Sequence, residues 1–179
     1  DTILFNTASS LFGVTTTPDF LGTIPISNAG NYAVTIGSGG SGSWEQAAGT
    51  YTQGNYTFTL SGSFTLSGGS FVGSNSTTTF TDYFTISGGT FVAASSTVFG
   101  PADGGGRIIN INSSQTFERL QFNNSVGNYS RTITSDDTLV VTGDLILSDG
   151  SLNTGTMEAR GNVQILSGFD SGTTALTFG

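Results

Sequence analysis

Asp136, Asp137, Asp144 and Asp149 form the one acidic cluster of this chain. Paired carboxylates serve as acid and base in glycoside hydrolysis, so the cluster is the first place to look for catalysis. The other groups such chemistry recruits are missing. The chain has no His and no Lys, and its only cations are Arg107, Arg119, Arg131 and Arg160. Polygalacturonase patterns add a His and an Arg-x-Lys pair, and pectate lyases set basic residues beside calcium-binding Asp, so neither pattern can be completed. The aspartates therefore read as solvated loop carboxylates, and the chain as no enzyme.

Metal chemistry meets the same shortage. Zinc and iron sites draw on His or Cys, and both residues are absent. A calcium site needs several oxygen ligands; the segment GGGRIININ at 104–112 starts like a calcium-solenoid repeat but lacks its Asp. That leaves Asp136, Asp137 and Asp144 as the one place for an incidental calcium. GPADGGGR (100–107) has no phosphate-loop lysine. No cofactor and no resident metal are expected.

Two polar patterns remain. Asn55, Asn75, Asn112, Asn123 and Asn128 each open an Asn-x-Ser/Thr sequence, and such matches arise by chance in a chain rich in Ser and Thr. Asn55 and Asn75 stand one repeat apart and are the candidate glycosylation pair; the competing reading is a stacked Asn satisfying backbone groups at a corner. Thr57/Thr77/Thr97 and Thr50/Ser70/Thr90 read as outward columns. Flat Thr arrays bind ice on some solenoids, which makes ice binding one alternative function, but Thr is also a good exposed strand residue. The second column that a regular array needs fails at Phe99.

What positions these residues is a repeat. WEQAAGTYTQGN, FTLSGGSFVGSN and FTISGGTFVAAS align without a gap at an interval of twenty residues, from Trp44 to Phe99. Trp44, Phe64 and Phe84 form one column; Leu66 and Ile86 a second; Gly49, Gly69 and Gly89 a third; Tyr51, Phe71 and Phe91 a fourth. A fixed period of this size marks stacked units that bury their apolar side chains against neighbours. Within each unit apolar residues alternate with Thr or Ser, the period of a half-buried strand, and Gly-Gly or Ala-Gly supplies the corner.

The fold expected is therefore all-β: a single-stranded parallel β-solenoid with coils of about 18–22 residues. An antiparallel β-sandwich is the alternative, but it has no reason to keep like residues in register. With about seven to nine coils at roughly 4.8 Å each, the rod would be about 35–45 Å long. Phe64, Leu66, Phe71, Phe84, Ile86, Phe91, Leu145, Leu147 and Val163 are expected inside.

Residues 1–36 read as an N-terminal strand and cap region punctuated by Pro18 and Pro25, and 37–179 as coils with an expanded loop near 100–106. Later in the chain, Phe117, Leu120 and Phe122 are expected inward. TLVVTGDLILSDGSL (138–152) matches TFTLSGSFTLSGGSF (57–71), with Leu139 on Phe58, Leu145 on Phe64 and Leu152 on Phe71. MEARGNVQILSG (157–168) repeats it at a spacing of eighteen.

Composition narrows the setting. Charged residues are 9% of 179, against about 25% in an ordinary domain, yet fourteen Phe supply enough apolar surface to order the chain. A net charge of −8 and a pI near 4.1 oppose contact with phosphate backbones or anionic lipid, so no nucleic-acid partner is expected. No apolar run is long enough to span a bilayer, and no membrane insertion is expected. A Lys-free, Ser/Thr/Gly-rich chain offers trypsin-like proteases few sites, which suits an extracellular or cell-surface location.

The phrases FTLSGGSF, FTISGGTF, LILSDGSL and QTFERLQF resemble the degenerate repeats of bacterial surface proteins with β-helical stalks, such as autotransporter passengers and filamentous-haemagglutinin-like adhesins. The resemblance covers roughly residues 44–178 and implies export and a structural or adhesive role. It transfers no functional residue.

The ends suggest how such a role would be carried out. Thr174-Ala175-Leu176-Thr177-Phe178 is an uncharged alternating strand, and Thr2-Ile3-Leu4-Phe5 is equally apolar; open coil ends of this kind invite strand addition. Ile3, Leu4, Phe5, Leu11, Phe12, Leu176 and Phe178 are the candidate assembly residues. The expected partner is a second copy, head to tail in a fibre, through residues 1–14 and 169–179. A carbohydrate-binding or carbohydrate-active β-helix, with a surface polysaccharide as partner, is the other alternative.

Overall fold

The computed structural model describes residues 43–55, 57–101, 105–124 and 129–179, together with the backbone of the short strands Ile3–Leu4, Asp19–Phe20, Ile26–Ser27 and Val34–Ile36. All regular structure among them is β, and the strands stack in parallel as a solenoid of about six turns. With the short N-terminal strands counted, the second face stacks nine strands, five in one sheet and four in the next, in keeping with the seven to nine coils expected. Several turns are longer than twenty residues: Phe84 pairs with Ile109 and Ile109 with Ile133, so the upper bound of 22 residues per coil fails there. Phe5, Leu11, Phe12, Pro18, Pro25 and all but the last residue of 37–43 lie outside the described residues.

Each turn lays one strand on each of three faces. In the first regular turn these are Trp44–Gln46, Thr50–Thr52 and Phe58–Leu60. On the first face Trp44 pairs with Phe64 and Phe64 with Phe84. On the second, Tyr51 pairs with Phe71 and Phe71 with Phe91; on the third, Phe58 pairs with Thr78 and Leu60 with Phe80. The four columns read from the repeat are thus true stacking columns. The N-terminal short strands join the same ladders, Ile3–Leu4 on Ile26–Ser27 and Val34–Ile36 on Phe58–Leu60.

Period-two alternation does what strand geometry requires, placing every second side chain inside. The strands Phe58–Leu60 and Phe64–Leu66 bury both end residues and leave the middle Thr at the surface. Inside, aromatic rings on successive turns lie nearly parallel, Phe64 on Phe84 at 5.0 Å and Phe71 on Phe91 at 5.3 Å between centroids. Rings on different faces meet edge to face, as Phe64 does with Phe71 at 5.2 Å. Both arrangements suit the quadrupole of the rings. Phe117, Leu120 and Phe122 are buried, as are all the expected core residues except Val163, which is only half-buried, its strand being paired on one side only among the described residues.

Two expectations about register are corrected. The column Thr57/Thr77/Thr97 breaks at Thr97, because the corner before Ser96–Phe99 is one residue shorter than the one before Thr77–Phe80. Thr97 therefore pairs with Thr78 and is fully buried with it; a one-residue shift moves a side chain to the other face. Thr78 finds a partner, donating its hydroxyl to Gln53 Oε1 at 2.6 Å. Thr97 Oγ1 has none among the described residues. Thr97→Val should accordingly raise stability by about 1–2 kcal/mol, because it removes an unsatisfied buried hydroxyl, and a thermal or urea melt reads this directly. A neutral result would place Thr97 at the surface after all.

The second correction concerns the match of 138–152 to 57–71. The local pattern is kept but its place in the turn is not. Phe58–Leu60, Phe64–Leu66 and Ser70–Val72 occupy the third, first and second faces. Their counterparts around Leu139, Leu145 and Leu152 occupy the second, third and first. The spacing of eighteen further on is kept in the ladder, with Leu139 on Met157 and Leu145 on Val163.

Candidate functional site

The acidic residues do not gather. Asp136 and Asp137 lie at the corner between the first and second faces, Asp144 at the corner between the second and third, and Asp149 at the corner between the third and first. Asp137 is buried and already occupied. Its Oδ2 accepts from the Ile111 N–H at 2.7 Å and its Oδ1 from the Ser113 N–H at 2.9 Å. It holds a turn in which Asn112 and Ser113 adopt positive φ, 43° and 95°, conformations that need outside support in non-glycine residues. Asp144 is exposed and accepts from Asn162 Nδ2 at 3.0 Å. Among the described residues no three His, Cys, Asp or Glu side chains converge on a metal-sized space.

Asn55 and Asn75 are both exposed at the corner leading to the third face, and Asn75 Oδ1 accepts from Ser95 Oγ at 3.4 Å on the next turn.

A buried cation occupies the corner between the third and first faces, and sequence reasoning passed over it. Arg131 is fully buried. Nη2 donates to the carbonyls of Thr81 and Gly100, both at 2.9 Å, and more distantly to Phe80 at 3.4 Å. Nη1 donates to the Asp82 carbonyl at 3.1 Å, and Nε to Asn124 Oδ1 at 3.3 Å. The guanidinium also stands over the Phe99 ring, 5.3 Å from its centroid. It thus ties carbonyls from two earlier turns to its own. Burial pulls its pKa down to about 10, with nearby Asp82 opposing and Arg107 adding to the fall, so the group stays charged at neutral pH. Asp82 is itself paired with Arg107, Oδ1 to Nε at 2.6 Å, at an angle that makes this a charge contact and not an aligned hydrogen bond. The signal for Arg131 was present: in Ser130–Ile133 it shares the parity of Ile133, and Ile133 is inward.

The other distinctive surface is the last turn. Val163–Gly172 and Ala175–Phe178 pair on one side only, with Leu145–Asn153 and Thr156–Ala159. The inward columns run out here: Leu147 is followed by Ile165, Met157 by Leu176, and Ala159 by Phe178. Among the described residues no further strand is paired over these side chains. Phe178 is 73% exposed and Ile165 60%, while Leu176 is half-buried. Between them opens a cavity of about 160 Å³ lined by Leu147, Leu152, Met157, Phe169 and Leu176. It exists because the column Arg107, Arg131, Leu152 ends on Gly172, which has no side chain to fill the layer. Of the candidate assembly residues, Leu176 and Phe178 therefore sit together on this surface, and Ile3 and Leu4 lie in a paired strand at the opposite end of the stack.

No protein-family model, no curated protein and no solved structure matches the chain.

Proposed function

We propose that the chain is a structural segment of an extracellular surface fibre, extended end to end by a further solenoid turn seated on its last one. The observation that carries this reading is the parallel stack itself, whose columns Trp44/Phe64/Phe84 and Tyr51/Phe71/Phe91 continue in register from turn to turn; the alternative to a second copy over Ile165, Leu176 and Phe178 is a further coil of the same polypeptide. Apolar groups in core positions and strand edges with free hydrogen-bonding groups together ask for another strand layer. All strands run parallel, so the two ends of the stack differ, and an end-to-end contact is heterologous and open. The second copy supplies the covering turn with its N-terminal strands. The resemblance of the repeats to β-helical stalks of the autotransporter-passenger and filamentous-haemagglutinin type supports the same role, and the separation of the four aspartates over three corners favours it over a carbohydrate-active one.

The test is Phe178→Lys. Because Phe178 is mostly exposed, the change should alter folding stability by less than about 0.5 kcal/mol. In electron micrographs the parent protein should form rods many subunits long, and the variant single short rods. A parent protein that stays monomeric at every concentration tried would overturn the proposal, as would a variant that polymerises like the parent.

A further inference from the structure

The second face does not run unbroken along the solenoid. Its strands from Ile3–Leu4 to Thr90–Val92 form one sheet, and those from Ser114–Phe117 to Ala175–Phe178 another. The same two turns are continuously paired on the first face, Phe84 with Ile109, and on the third, Phe99 with Phe122. The backbone ladder is therefore interrupted on one face only, between Thr90–Val92 and Ser114–Phe117.

The cause lies in the preceding corner. In the earlier turns the corner N–H groups donate backwards, to carbonyls of the turn before: Ser87 and Gly88 to Leu66 at 2.9 and 3.3 Å, and Thr90 to Gly69 at 2.9 Å. At the equivalent corner of the next turn, Ile111 and Ser113 donate forwards, to the carboxylate of Asp137. Those donors are no longer available to the turn behind them. What crosses the gap is a side chain: Gln115 Nε2 donates to the Phe91 carbonyl at 3.3 Å. Below it the core is still in contact, Phe91 to Phe117 at 6.4 Å between ring centroids.

We infer that this seam is a built-in opening point, at which the second face unzips locally between the two sheets while the other two faces hold, with Gln115 as its latch. Because the first and third faces stay paired, opening means fraying of Thr90–Val92 and Ser114–Phe117 to solvent. Local opening of this kind is read by amide hydrogen exchange, which follows the free energy of the smallest opening that exposes each group.

Residue-resolved exchange on the whole chain should show amides in 91–94 and 114–117 exchanging at least about tenfold faster than those of 70–72 and 138–141 on the same face, with Thr90, bonded to Gly69, protected. The flanking strands 84–86, 96–99 and 119–123 should remain protected. Gln115→Glu, which keeps the shape of the side chain but cannot donate to a carbonyl, should accelerate the seam by a further severalfold and leave the other faces unchanged. Equal protection along the second face would overturn the seam. Exchange unaffected by Gln115→Glu would overturn the latch, and an acceleration spread over all three faces would show a global loss of stability in place of a local opening.

Discussion

An Arg131→Met chain is expected to lose about 4 kcal/mol of folding stability. Methionine fills much of the arginine's volume, so lost packing is a small part of the loss. The loss comes from the buried carbonyl of Gly100 and the part-buried carbonyls of Thr81 and Asp82, which would be left without this donor, at about 1–3 kcal/mol for each group that water cannot reach. Arg131→Lys should recover only part of this, because one ammonium cannot reproduce a planar fork whose donors reach two turns at once. Urea unfolding of the three proteins gives the order parent, Lys, Met. A Met variant within about 1 kcal/mol of the parent would mean that water reaches this corner.

Gly69→Ala should cost about 2–4 kcal/mol for two reasons that act together. Gly69 has φ of 72°, and a Cβ there would stand 2.4 Å from the Gly49 carbonyl oxygen of the turn before. The left-handed backbone strains any side chain, and the clash falls on a backbone atom that the ladder holds in place. Gly106 separates the two contributions. Its φ is 76°, but a Cβ there would meet nothing within 4 Å, so Gly106→Ala should cost only the conformational part, about 1 kcal/mol. Equal losses at the two positions would show that stacking distance plays no part in the requirement for glycine.

The architecture could be read from the chain because its cause is repetition. Trp44, Phe64 and Phe84 share a type and a spacing, and only in-register parallel stacking gives that coincidence a physical reason. Readings failed where the spacing drifted. Thr97 was placed outside by counting twenties through a turn that is one residue short, and in a strand one residue decides between core and solvent. Val163 has the type and parity of a core residue, but burial also needs a turn on both sides, and among the described residues its strand is paired on one. Arg131 entered the sequence reading only as one of four cations and was given no place in the fold. The parity of its own strand pointed inward, and the carbonyls that make its burial tolerable come from residues thirty to fifty positions earlier, too far for any local pattern to reveal. Asp137 reads from the sequence as a solvated loop carboxylate, whereas it is buried and holds the Asn112–Ser113 turn.

The match between 57–71 and 138–152, kept in sequence but moved by one face, has a consequence for how such a rod can be lengthened or decorated. If a strand, a glycine bend and a second strand serve equally well at any of the three edges, the smallest interchangeable piece is a third of a revolution and not a whole one. Adding or losing such a piece leaves the thickness of the rod unchanged and swings everything beyond it by roughly 120° about the long axis. Loops that stood in one line along the rod would then point in different directions around it.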